Sequence, residues 1–150
     1  MHGFSTVGLP AWQLELINKY PSIYKEPSDN IIEFYKQKGE SVPETYCNLR
    51  YGFEFGEGWK KLIEEFSETT IKLLYELHSR NIQPDAYVHS YIFKEKFGML
   101  TWQGNNNIEI EPYKTLFNSY IRTIENKSTQ YCENCGDYAY LRNINGWRTT

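Results

Sequence analysis

Apolar positions recur at helical spacing in four stretches of the chain and at strand spacing in three, and their order sets the expected architecture. Trp12, Leu16 and Tyr20 stand four apart and stop at Pro21, which predicts a short first helix. Ile31, Ile32, Phe34 and Tyr35 predict a second over residues 29–38, closed near Gly39. Residues 41–44, with Pro43, read as a connector. Over residues 46–55 the period falls to two. Cys47, Leu49, Tyr51, Phe53 and Phe55 point one way, and Asn48, Arg50, Gly52 and Glu54 the other, as in a strand. Gly56-Glu57-Gly58 breaks it.

Trp59, Leu62, Ile63, Phe66, Leu73, Leu74 and Leu77 then share one stripe of a long amphipathic helix that runs to about Arg80 and ends before Pro84. Two β-rich runs, 86–93 and 99–103, flank Lys94-Glu95-Lys96-Phe97-Gly98, a hairpin in which Gly98 can take positive φ. Residues 104–107 form a turn. Pro112 suits the first turn of a last helix whose apolar face is Leu116, Phe117, Tyr120, Ile121 and Ile124. After Ser128 the pattern is irregular. The expected fold is α+β: a small, three-stranded antiparallel sheet packed against helices, with an irregular C-terminal CxxC knuckle. A chain of 150 residues fits a single domain, residues 1–150. Within it, 1–45 is an N-terminal helical segment, 46–128 the α+β core and 129–150 the CxxC-containing tail.

Charge narrows the partners. With 16 basic and 19 acidic residues, net −3, the chain has no broad basic field, so nucleic acid as a partner would need a local patch. The signs are interspersed on the helices, which reads as a solvated face. Thirteen tyrosines suit a packed core or a recognition surface. Neither a signal segment nor an apolar run of about 18 residues is present, so the expectation is a cytoplasmic protein with no membrane role.

Candidate chemistry is concentrated in Cys132-Glu133-Asn134-Cys135-Gly136. Two thiolates at this spacing can both reach one zinc ion, and Gly136 lets the backbone turn beneath it. Cys132 and Cys135 are therefore the candidate metal ligands, and zinc the candidate cofactor. A tetrahedral site needs four ligands, and the residues after Cys135 hold neither Cys nor His. Cys47, His2, His78 or His89 could complete it only by proximity in the fold. A reduced, metal-free knuckle and a redox pair are the alternatives, although redox CxxC pairs sit at a helix N-terminus and this one follows a helix.

No catalytic constellation is legible, and an enzyme is not expected. Glu109 and Glu111 share a strand-like face but beside a turn, as on an exposed edge. The acid-x-Lys order of a metal-dependent nuclease is absent after Pro84-Asp85. Gly56-Glu57-Gly58 lacks the Lys-Ser/Thr ending of a phosphate loop. For partner binding the candidates are Tyr87, His89 and Tyr91 on one strand face and Trp102 opposite, each equally able to serve the core. His89 is also read as a sheet-face histidine bonding a neighbour, and His78 as a cation suited to a helix C-terminus.

Several stretches together resemble a family of small hypothetical proteins encoded mainly by bacteriophages and prophages. Residues 19–24, Lys-Tyr-Pro-Ser-Ile-Tyr, resemble its KYPxIF signature. Residues 52–59, Gly-Phe-Glu-Phe-Gly-Glu-Gly-Trp, resemble its ECGDGW segment, with Phe55 in place of the cysteine and Leu62 and Ile63 continuing the helix. Residues 94–100 resemble KEKFGxL. Ser128, Cys132-Glu133-Asn134-Cys135-Gly136, Gly146-Trp147 and Thr149-Thr150 resemble its SxxxCExCG…GW…TLC tail, this sequence ending at Thr150 before that further cysteine. The resemblance implies a phage or mobile-element origin and supplies no reaction. The expectation is an accessory protein that binds and inhibits a host protein or complex, anti-phage defence and CRISPR effectors included. The alternative is a zinc-knuckle protein associated with phage nucleic acid.

Overall fold

The structure is a computed structural model, describing residues 8–24, 29–41, 52–139, 142–144 and 147–149. Its architecture is α+β. Three N-terminal helices, α1 (Ala11–Lys19), α2 (Pro21–Tyr24) and α3 (Asp29–Gln37), precede a two-residue strand β1 (Phe53–Glu54). A 3-10 turn over Glu57–Trp59 leads into the 20-residue helix α4 (Lys60–Ser79). Strands β2 (Val88–Lys96) and β3 (Met99–Asn106), helix α5 (Tyr113–Ser128) and a terminal pair β4 (Arg142–Ile144) and β5 (Trp147–Thr149) complete it. Among the described residues no helix is long and apolar enough to cross a membrane.

The main sheet has three strands in the order β1-β2-β3, but it is mixed. β2 and β3 pair antiparallel, whereas β1 runs parallel to β2, Phe53 opposite Phe93. This corrects the all-antiparallel expectation, and the cause lies in the connection. A parallel pair needs a crossover, and α4 supplies it between β1 and β2. Residues 46–51 of the expected first strand, Cys47 among them, lie outside the described residues. The outer side of β1 is finished by a side chain: the Gln13 amide donates to Phe53 O (2.9 Å) and accepts from Phe53 N–H (2.9 Å). A buried glutamine thus takes the place of another strand.

The β2–β3 hairpin is longer than its hydrophobic pattern suggests, because the two strands stay paired up to a two-residue turn, Phe97-Gly98. Both turn residues have positive φ, 55° and 82°. Such a turn matches the right-handed twist of the strands it joins. A register shift at Tyr91 marks a bulge, and Val88, His89 and Ser90 just before it are all buried. The tail is more regular than expected. β4 and β5 pair antiparallel, Arg142 opposite Thr149 and Ile144 opposite Trp147.

All seven residues read onto the stripe ahead of and along α4, from Trp59 to Leu77, are buried in one continuous core. The gap in the stripe is filled by two polar residues, Ser67 and Thr70, both fully buried. Tyr24 OH donates to Ser67 Oγ (2.6 Å), which donates to Ile63 O (2.6 Å). Phe66 of α4 meets Phe93, Trp102 and Phe117, with ring centroids 5.7, 6.2 and 6.1 Å away, tying α4 and α5 to the sheet. Ser128, at the end of α5, accepts the Leu100 N–H (2.8 Å) and so fixes β3 to that helix.

Candidate functional site

Gly56–Trp59 and the CxxC turn, far apart in sequence, meet at one end of the molecule, and Glu95 of the hairpin lies near enough to Glu133 for their charges to interact. The CxxC turn is held by its own backbone: Gly136 N–H donates to Cys132 O (2.9 Å) and Cys132 N–H to Asp137 O (2.8 Å). Gly136 sits at φ +79°, a conformation that glycine adopts without strain. Tyr131 and Tyr138 bridge the base of the turn, with their rings edge to face at 5.8 Å.

The turn docks on the approach to α4 backbone against backbone. Gly58 N–H donates to Glu133 O (2.7 Å), and the Trp59 indole N–H donates to Tyr131 O (2.8 Å). A Cβ on Gly58 would overlap the Cys132 carbonyl oxygen and lie 2.5 Å from Gly136 N and 2.6 Å from Glu133 C. Only glycine permits that approach. Gly56 N–H reaches Glu133 Oε2 at 3.3 Å. Phe55 packs on Trp12 and Trp59, ring centroids 6.1 and 5.3 Å apart.

Electrostatics at this end are uneven. Burial raises the Glu133 carboxyl above its usual value; the Gly56 N–H opposes this and the nearby Glu95 charge adds to it. The Cys132 thiol is lowered, because the backbone N–H groups of Cys135 and Asn134 point at its sulfur and the Cys135 side chain hydrogen-bonds to it. At Cys135 the Asp137 N–H also favours the thiolate, but the hydrogen bond to Cys132, burial and the charges of Cys132 and Asp137 raise it overall. Both thiols are free, Cys135 exposed and Cys132 half-buried. Beside them lies a cleft of about 560 Å³ with Tyr131 and Cys135 in its wall. Its charges are balanced: Lys60, Lys61 and Lys127 against Glu57, Glu65 and Asp137. Lys127 is paired with Glu65 at 2.7 Å and Lys60 with Glu15 at 3.3 Å.

The hairpin tip presents Phe97, 64% exposed, on the left-handed backbone of the turn. Glu95 Oε1 accepts the Gly98 N–H (2.6 Å) and braces the turn from within. Lys96 Nζ lies 5.9 Å from the Phe97 ring centre. Periodicity had no means of selecting Phe97. Its signal in the sequence was a bulky aromatic immediately before a turn glycine, where Asn is the stable choice.

The sequence-based candidates fall elsewhere or apart. Tyr87 is half-buried, and its N–H is held by Asn107 Oδ1 (2.7 Å). His89 is 1% exposed. The Tyr91 side chain lies outside the described residues, its backbone forming the bulge. Trp102 is half-buried, its indole donating to Ser90 Oγ (2.6 Å) and packed on Phe66 and Phe117. His78 donates through Nε2 to Ala86 O (2.7 Å) at the end of α4. Glu109 and Glu111 are exposed, and Glu111 accepts from the Thr115 hydroxyl (2.7 Å). His2, like Cys47, is outside the described residues. Among the described residues no three His, Cys, Asp or Glu side chains gather closely enough to hold a metal. No family model, curated protein or solved structure matches the chain.

Proposed function

We propose that the protein acts by binding, as an accessory protein of a phage or mobile element that occupies a surface of a host protein or complex and so inhibits it. The observation that carries the binding reading is Phe97. A β-hairpin of this geometry is most stable with Asn or Gly at that position, and a bulky residue at positive φ is strained. The ring gains little from the fold in return, being 64% exposed. Strain held at an exposed aromatic, on a turn braced by Glu95, is the arrangement expected of a binding anchor.

The origin rests on the resemblance of four stretches to phage-encoded proteins. A protein partner is favoured over nucleic acid by the charge balance of the cleft beside the CxxC turn, which is lined by three lysines and three acids. The experiment is affinity capture from host lysate with the wild-type chain and with Phe97→Asn. The variant should melt higher than wild type and lose the stoichiometric partner that wild type retains. Absence of any such partner for wild type, or full retention by the better-folded variant, removes the reading.

A further inference from the structure

We propose that Cys132 and Cys135 are half of a tetrathiolate zinc site, completed by the same two cysteines of a second copy of this chain. The two cysteines stand three apart on one tight turn, closed by Gly136 N–H to Cys132 O (2.9 Å) and Cys132 N–H to Asp137 O (2.8 Å). That spacing lets both sulfurs reach one zinc ion. The turn that carries them is fixed before any metal arrives, through its own ladder and through the Gly58 and Trp59 contacts. A fixed pair gives up less freedom on ligation than a mobile one.

Zinc with cysteine ligands takes four in a tetrahedron, and this turn supplies two. Among the described residues no third His, Cys, Asp or Glu joins them. Both sulfurs belong to residues that reach the surface, Cys135 the more so. A two-fold axis through the metal brings an identical pair, and the self-complementary geometry closes at two chains.

Charge then makes the pairing conditional on metal. Glu133 and Asp137 flank the cysteines, so two such knuckles bring four acidic residues together. Two such knuckles repel when they meet unaided. A divalent cation between them reverses the sign of the interaction, so the copies should associate with zinc and separate without it.

The test uses the full chain, purified, kept reduced with a phosphine and stripped of metal, then titrated with Zn²⁺ alone. Native mass spectrometry and sedimentation should show a monomer becoming a dimer that carries one zinc per two chains, reversed by chelator. Cobalt in place of zinc should give the visible absorption of a tetrahedral all-thiolate site. Cys135→Ser, at an exposed position that keeps the fold by circular dichroism, should abolish both the metal and the dimer, and Cys132→Ser likewise. One zinc per monomer, with ligands such as Cys47 from the same chain, overturns the proposal. So does failure to bind zinc, or a dimer that persists in chelator or in both serine variants. The titration involves no host protein, so its outcome is separate from that of the capture experiment.

Discussion

Replacing Gly58 with alanine tests whether the approach to α4 and the CxxC turn form one structural unit. On local grounds the change should help. Gly58 lies in the 3-10 turn leading into α4 without positive φ, and alanine is favoured over glycine in helical backbone by roughly 1 kcal/mol. The contacts say otherwise. The added methyl meets three backbone atoms of the CxxC turn, the nearest being the Cys132 carbonyl oxygen, and no flexible side chain is there to give way. Overpacking of this kind costs about 1–3 kcal/mol. If the turn retreats instead, the bonds from Gly58 N–H and the Trp59 indole to Glu133 O and Tyr131 O are lost, about 0.5–1.5 kcal/mol each. Set against the propensity gain, either route leaves a net loss of up to about 2 kcal/mol and a fall of a few degrees in Tm. Urea unfolding followed by tryptophan fluorescence measures the loss. Hydrogen exchange should show faster exchange at the amides of residues 132–137 in particular. An alanine variant as stable as wild type, with unchanged exchange there, would refute the reasoning.

Phe97→Asn should raise stability by about 0.5–1 kcal/mol, read as an increase in Tm, because Asn tolerates the left-handed backbone that Phe strains to hold. Ser67→Ala should cost more than Tyr24→Phe in chemical denaturation. The first strands a fully buried phenol, about 1–3 kcal/mol, while the second leaves Ser67 still bonded to Ile63 O and costs nearer 1 kcal/mol. Thr70→Val, which removes a buried hydroxyl without a hydrogen-bond partner and keeps the side-chain shape, should raise the midpoint of urea unfolding. Glu125 has its carboxyl raised by burial, against the lowering effect of the Trp102 backbone N–H, so the fold disfavours its charged form. Stability should therefore fall as pH rises from the ordinary carboxylate range through the raised value, and Glu125→Gln should lose that slope. The Tm difference, variant minus wild type, should widen from about pH 4 to pH 7.

What the sequence made legible was whatever depends on local periodicity. The α4 stripe, the hairpin at residues 94–98 and the last helix could be read because one face of each is buried and the spacing of apolar residues records which. Two properties of the sheet depend on distant groups and were not recorded that way. The direction of β1 follows from the crossover through α4, and its outer edge is finished by Gln13, forty residues away and polar. Ser67 and Thr70 hid the middle of the α4 stripe because a buried hydroxyl counts as polar in any periodicity. Of the candidate site, the cysteine spacing and the glycines were visible as separate motifs. That Gly58 exists to admit the Cys132 turn is a contact across 74 positions of sequence, and nothing local encodes it.

The distribution of unfavourable local choices itself points to one end of the molecule. At the far end of β2 the polar groups are absorbed: Tyr87 N–H, Gln83 and Asp85 O all bond to Asn107, and His89 is enclosed. Toward the other end, Phe97 holds a strained backbone while exposed, Glu133 is partly buried within reach of the like charge of Glu95, and of two free cysteines Cys135 is exposed and Cys132 half-buried. Each of these features lowers stability or adds reactivity without improving the core. A fold of this size could shed them by single substitutions that the surrounding structure tolerates. Contact with something outside the chain is proposed on these features, none of which packing within the chain requires.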